Sequence, residues 1–240
     1  MWGPYPTISY GGARYYVLFV DDFSRKVWVY VLKRKVDVFN TFKRFRVMVE
    51  KRTDRIIKCL RMDNGGEFTS LELEKYCKDE GIVRHKTNVY TAQQNGVAKR
   101  MNMTLLERAR SMLRNAILGQ ELCAEAVSAA SYLINRSPSM EIDCKILEEV
   151  WTGHSCDYSN LKIFGCEAYA ITPKNQRSKL DPRSKKCIFV GYDDVMKGYR
   201  LWDPTAHKIV VSRDVIFYES SLIKSESVRV DVEHEHVISK

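Results

Sequence analysis

No run of apolar residues in this 240-residue chain approaches the roughly 18–20 needed to span a bilayer, which excludes a transmembrane helix. The opening residues, Met1 to Tyr10, lack the charged-then-apolar layout of a secretion signal. The seven cysteines stand singly, without a C-x-x-C pair. An odd, scattered set argues against both a disulfide framework and a cysteine zinc site. The five histidines offer no ligand set, since His234 and His236 sit two apart in a charged tail. Low-complexity tracts are lacking too. These absences leave a soluble nuclear or cytoplasmic protein with reduced, mostly buried cysteines.

What is present is ordinary globular material, 45% hydrophobic and 29% charged, enough for one sizeable domain with a small second one. Lys and Arg outnumber Asp and Glu by 39 to 30, a net charge of +9. Such an excess favours a polyanionic partner, because each cation near a phosphate releases condensed counterions.

Two β-rich runs, Tyr15–Val20 and Val27–Leu32, joined by Asp21 to Lys26, predict a hairpin. Phe39, Phe42, Phe45 and Val49 follow at helical spacing. Ile56–Met62 reads as a short buried strand ending at the turn Asp63-Asn64-Gly65-Gly66. Thr69 and Glu72 form a capping-box pattern for a helix that stops at Gly81, before a strand over Ile82–Lys86. From Gly96 a long helix is written by Val97, Met101, Leu105, Ala109 and Met112, and a further helix runs over Gln120–Ile134. This order predicts an α/β layered domain with a mixed sheet and flanking helices over residues 1–138. Residues 139–160 lack periodicity and read as a connector. Short β-runs separated by turn signals predict a small all-β module over 161–218, and the tail 219–240 reads as loosely ordered.

Two segments carry chemistry. In Arg61-Met62-Asp63-Asn64-Gly65-Gly66-Glu67-Phe68, a carboxylate follows a buried strand and precedes a glycine turn, a place where a divalent metal can be held. An ordinary Asp-Asn-Gly-Gly turn is the alternative. In Gln93-Gln94-Asn95-Gly96-Val97-Ala98-Lys99-Arg100, a polar loop runs into a helix whose first N–H groups favour phosphate. Lys99 lies off the apolar stripe, toward a cleft or solvent, and Arg100, Arg108, Arg110 and Arg114 extend positive charge along the helix. A solvated basic face is the alternative there.

Together these segments resemble the integrase core of copia-type retrotransposon polyproteins, whose patterns read R-x-D-N-G-G-E-F and Y-T-P-Q-Q-N-G-V-A-E-R. Residues 61–68 agree throughout, and Tyr90–Arg100 departs at Ala92 and Lys99. Phe19-Val20-Asp21-Asp22-Phe23-Ser24-Arg25, Leu133-Ile134-Asn135-Arg136-Ser137-Pro138 and Val150-Trp151-Thr152-Gly153 are similar to the same family, as are Phe164-Gly165-Cys166 and Lys179 to Ser184. The resemblance implies an RNase H-like fold followed by an SH3-like module. It also implies a two-aspartate, one-glutamate site for Mg²⁺ or Mn²⁺, which clamps the attacking and leaving oxygens of a phosphodiester. DNA, and RNA as a second polyanion, are the implied partners, with homo-oligomers as in integrases.

Thirty-five residues separate Asp63 from Lys99, the family's spacing between its second Asp and its Glu. Lys99 therefore stands where the glutamate belongs. A +1/+2 pair about 4 Å apart repels by on the order of 8 kcal/mol at an effective dielectric near 20. The resemblance puts the first aspartate one position before Met1, so most of the first strand is expected to be missing and the metal not productively bound. Asp21 and Asp22 read as turn residues, bonding Ser24 or nearby N–H groups, rather than as substitutes. The candidate site residues are Asp63 and Lys99 for catalysis, with Asp63 the surviving metal ligand. For weak, non-specific DNA contact they are Gln93, Gln94, Asn95, Lys99, Arg100, Arg108, Arg110, Arg114, Lys185 and Lys186. A catalytically inactive core is the leading reading, and a domesticated module binding nucleic acid or protein the alternative.

Overall fold

Strands β1 (Tyr15–Val20) and β2 (Val27–Leu32) pair antiparallel in the register the hairpin reading requires, Val20 facing Val27 and Tyr15 facing Leu32. The computed structural model describes residues 1–62, 71–86, 96–172, 177–178, 182–193 and 196–220, with the side chain of Lys86 outside that set. They fall into two compact units, Met1–Ser111 with Gln120–Cys156, and Met112–Gly119 with Asp157–Lys240. Thr69, Asp63, Gln93, Gln94, Asn95 and the tail from residue 221 lie outside the described residues.

In the first unit the turn between the strands is fixed by Asp21, whose carboxylate accepts from the Ser24 N–H and hydroxyl, both at 2.7 Å. On the other edge of β1, Trp2 bridges Tyr16 through two backbone hydrogen bonds of 3.0 Å. Helix α1 (Val38–Thr53) covers the sheet with Val38, Phe42, Phe45 and Val49, all buried. The apolar stripe thus begins at Val38, and Phe39 is only partly buried at its margin. Phe19 stacks on Phe45 with ring centroids 4.4 Å apart.

The predicted strand over Ile56–Met62 is shorter than expected, β3 spanning Cys59–Met62. Ile56 is exposed, and the Ile57 N–H goes to the Glu50 carboxylate at 2.9 Å instead of to a strand partner. Helix α2 (Leu71–Asp79) leads to β4 (Val83–Lys86), which pairs parallel to β3. The antiparallel β1–β2 pair and the parallel β3–β4 pair are two separate two-stranded sheets among the described residues, so both ladder types expected are present but not joined in one sheet.

Helix α3 (Gly96–Asn115) buries Leu105, Ala109 and Leu113, while Met112 of the expected stripe is half-buried. Helix α4 (Cys123–Asn135) is alanine-rich, and Ala124, Ala126, Ala129 and Ala130 are all buried. Small side chains let this helix lie close on β2. Residues 139–160 carry more structure than a plain connector. Strands β5 (Pro138–Ser139) and β6 (Lys145–Ile146) pair, and α5 (Leu147–Thr152) follows. Trp151 of α5 meets Trp28 edge-on at 4.8 Å and packs against the first core.

Between these rings lies Lys26, only 6% exposed, its ammonium 5.4 and 5.7 Å from the Trp28 and Trp151 rings. Glu148 neutralises it at 2.7 Å. Next to it, buried Asn135 accepts from the Val27 N–H at 2.8 Å and donates to the Val27 carbonyl at 2.7 Å. All seven cysteines are free, with Cys77, Cys166 and Cys187 buried but Cys59 and Cys144 exposed, fewer buried than expected.

The second unit is built on one antiparallel sheet of five strands, β7 (Glu167–Ile171), β8 (Ser184–Asp193), β9 (Gly198–Asp203), β10 (Lys208–Ser212) and β11 (Val215–Tyr218). Their order is β10-β9-β8-β7-β11. Phe189 is the hub, its ring within 5.2–5.9 Å of Tyr192, Tyr199 and Phe217. A register shift between Phe189 and Gly191, with Gly191 at φ +148°, lets β8 bend across the sheet.

Two outcomes are expected. Asn135→Ala leaves both backbone groups of Val27 unpaired in the interior and should cost about 2–6 kcal/mol in chemical denaturation, at roughly 1–3 kcal/mol per stranded group. The second concerns Asp203, fully buried at the end of β9. Burial alone would raise its carboxyl. The Lys185 ammonium and the N–H groups of Ala206 and Thr205, at 3.2 and 3.1 Å, outweigh that and hold it below the ordinary aspartate value of 3.8. The stability it contributes is therefore present above pH 3.8 and is lost as pH falls from there through the lower folded value. Asp203→Asn should flatten this acid limb when unfolding of the second unit is followed against pH.

Candidate active-site cleft

The first turn of α3 and the end of β3 face a common cleft. Ala98, Lys99 and Asn102 line it from the helix, and Arg61 and Met62 from the strand. Leu18, Phe42 and Leu73 give it an apolar lining, together with Met1 and Trp2. The helix is anchored here by Asn102, whose side-chain carbonyl accepts a hydrogen bond from the Tyr16 hydroxyl. Burial, and the Cys123 thiol nearby, push the Tyr16 hydroxyl well above the ordinary tyrosine range, so it remains a donor at all physiological pH. Trp2 stacks on Tyr16 at 5.5 Å. Strand β1, the Trp2 bridge and α3 are thereby tied together at the cleft.

Lys99 is exposed and lines this cleft, in keeping with its place off the apolar stripe. Arg100 turns to the outer side, where its guanidinium reaches Glu141 at 3.5 Å. Arg108, Arg110 and Arg114 are all exposed. At about 100° per residue, Arg108 and Arg110 sit on opposite flanks of α3, about 200° apart. Lys99, Arg100, Arg110 and Arg114, however, fall within about 100° of one another around α3, so four of its five cations share one side and Arg108 stands off it.

In the second unit Lys185 and Lys186 are each paired with a carboxylate, Lys185 with buried Asp203 and Lys186 with Glu167 at 2.7 Å. Their ammonium groups already neutralise charge from neighbouring strands. Asp63, Gln93, Gln94 and Asn95, named in the motifs, lie outside the described residues. Sequence reasoning missed Asn102, whose only signal is a polar residue three positions from Lys99. It also missed Arg61 as a cleft residue, though Arg61 opens the first motif.

With this geometry in view, comparison with known proteins is informative. Residues 2–91 match the integrase core domain, and residues 166–231 match the retroviral polymerase SH3-like domain. The retrovirus-related Pol polyprotein from transposon TNT 1-94 of Nicotiana tabacum is 54% identical over 92% of this chain and 17% of its own length. That from transposon RE2 of Arabidopsis thaliana is 35% identical over 89% of this chain and 15% of its own. Among solved structures, the HTLV-2 integrase catalytic core domain in complex with magnesium is 20% identical, with TM-score 0.42, over 55% of this chain and 81% of that one. The simian T-cell lymphotropic virus intasome in complex with a PP2A regulatory subunit is 17% identical, with TM-score 0.46, over 84% and 71%.

An integrase core followed by a retroviral SH3-like module is the class these matches define. The chain belongs to the retrovirus-related Pol polyproteins of retrotransposons and carries their integrase-core segment. It spans less than a fifth of the length of these polyproteins, 17% for the tobacco relative.

Residues 2–91 match the integrase core domain, and that resemblance implies Mg²⁺ or Mn²⁺, so the donor set can be tested for fit. Among the described residues lining the cleft there is no carboxylate, imidazole or thiol, and two are cations, Arg61 and Lys99. Among the described residues no group of three His, Cys, Asp or Glu side chains is placed to hold a metal. The Asn102 oxygen is committed to Tyr16. Asp63, which follows β3 directly in sequence, lies outside the described residues; the described lining, with Arg61 and Lys99, suits a phosphate oxygen. Lys99→Glu replaces a repulsion by an attraction and should raise the Mn²⁺ affinity of the chain at least about tenfold in calorimetric titration. An unchanged affinity would mean that residue 99 does not face the metal position.

Proposed function

We propose that this chain is an integrase core that holds nucleic acid but does not carry out metal-dependent strand transfer. The observation that carries the reading is Lys99, an exposed cation in the cleft beside the end of β3, at the family's glutamate position. Two-metal chemistry needs oxygen donors on both sides of the reacting phosphodiester. On this reading Asp63 is the surviving ligand, and the Lys99 ammonium takes the place of the glutamate. A metal held by Asp63 alone is not productively placed.

The remaining function is phosphate contact. Net charge of +9 supplies the attraction, and the cations of α3, namely Lys99, Arg100, Arg108, Arg110 and Arg114, supply the surface. Gln93, Gln94 and Asn95 lead into the same helix end and add polar contacts. Lys185 and Lys186 contribute less, because each already neutralises a carboxylate. The contact is to duplex DNA, weak and without sequence preference, since phosphate contacts carry no direct sequence information. Self-assembly belongs to the same proposal, the HTLV-2 core being described in dimeric and trimeric forms. Its place of action on this reading is the nucleus or the cytoplasm. Among the described residues no helix is long and apolar enough to cross a membrane.

Two measurements test this. With element-terminal DNA and Mn²⁺, the chain should form no strand-transfer product above an Asp63→Ala control, and product above that level overturns the reading. Affinity for a 20-base-pair duplex should fall steeply between about 50 and 200 mM salt, as counterion release demands. Binding that ignores salt would point to a contact of another kind.

A further inference from the structure

From the end of β3 to the first turn of α3 runs a chain of alternating charges, of which the reading above uses only Arg100. Arg61, at the end of β3, reaches Asp22 of the hairpin turn at 3.4 Å. Asp22 is held by Arg25 at 2.7 Å, and Arg25 faces Glu141 at 3.6 Å. Glu141 in turn meets Arg100, in the first turn of α3, at 3.5 Å. Residues remote in sequence thus join the two walls of the cleft, with three arginines against two carboxylates.

Most of these contacts are loose. Only Arg25–Asp22 has the length of a charge-assisted hydrogen bond, and the other three are stretched beyond it. Asp22, Arg61 and Arg100 have side chains 68%, 59% and 66% exposed, where ion pairs are screened and contribute little to folding. Arg25 is the exception. Its side chain is 23% exposed, and its buried Nε has no hydrogen-bond partner although it points at Glu141. A buried guanidinium nitrogen left unbonded is an unmet demand for an anionic oxygen. Movement of the Glu141 side chain would open that nitrogen to an incoming oxygen. Each arginine also presents a planar fork suited to phosphate.

We propose that Arg61, Arg25 and Arg100 form a phosphate-binding strip for duplex DNA, and that Asp22 and Glu141 are internal stand-ins which the DNA backbone displaces. This rests on the nucleic-acid-binding reading above and deepens it by naming the strip and its latch. The carboxylates occupy the arginines when no DNA is present and lower the affinity by competition. A brace whose only role is to hold the hairpin turn against β3 and α3 would behave in the opposite way.

The test compares three versions of the full chain on a fluorescently labelled 20-base-pair duplex, by anisotropy across 50–200 mM KCl. They are the unaltered protein, Asp22→Asn/Glu141→Gln, and Asp54→Asn/Glu72→Gln, a control with the same net charge altered at exposed positions outside the strip. The latch variant should bind about tenfold more tightly than the control at 50 mM, with a salt slope steeper by about two. Equal or weaker binding by the latch variant overturns the strip, and if the unaltered protein and the control still bind, the integrase reading stands. Absence of binding by all three at 50 mM overturns both. If the double variant melts early, Glu141→Gln alone leaves the hairpin turn intact and carries the same test at Arg25 and Arg100. Its affinity gain over a Glu72→Gln control should be about threefold, and no gain overturns the strip.

Discussion

The amide of Asn135, closed on both backbone groups of Val27, is the contact from which much of the first unit is hung. It fixes the start of β2 against the end of α4 in a place where no water can compete. One residue earlier, Lys26 is carried between Trp28 and Trp151, where Glu148 of α5 meets it. A buried ion pair is costly unless its geometry is good, and here two aromatic faces and a short contact offset that cost. From β2 the order passes by strand register to β1, from β1 through the Tyr16 hydroxyl to Asn102, and so to the first turn of α3. The cleft is therefore positioned by an amide on the far side of the sheet.

Much of this was legible in the sequence, for local reasons. The hairpin strands were read to the residue because β-branched and aromatic runs are bounded by polar turn residues. The Asp21–Ser24 turn was read from its side-chain chemistry. Strand β3 was over-extended because Ile56 and Ile57 have strand-like side chains, while the Ile57 N–H is captured by Glu50 from α1. Helix α5 escaped notice because six residues give fewer than two turns, too few to show a period. Its burial comes from Trp151 finding Trp28, a pairing that no local window contains.

The site was legible unevenly. The spacing from Asp63 to Lys99 could be counted, and the motif supplied its meaning. The pairing of Lys185 and Lys186 could not be read, because Asp203 and Glu167 reach them through the antiparallel register of β7, β8 and β9. A run of basic residues in sequence overstated the free charge in space. The same holds for Arg61, Arg25 and Arg100, whose acidic neighbours come from the hairpin turn and from residue 141.

Lys99 is exposed at the cleft, nearly two turns of α3 before the first fully buried residue of that helix, Leu105. Glutamate and lysine have nearly the same helix propensity, and neither is asked to pack there. An exchange between them leaves the folded state intact, so chaperones and proteases, which sense unfolded chain, are blind to it. The scaffold can be inherited in good order whichever of the two stands at its rim. A change at residue 99 is thus screened by what the cleft does and not by folding, whereas a change at Asn135 or Phe189 would be removed by the cell before the cleft was ever used.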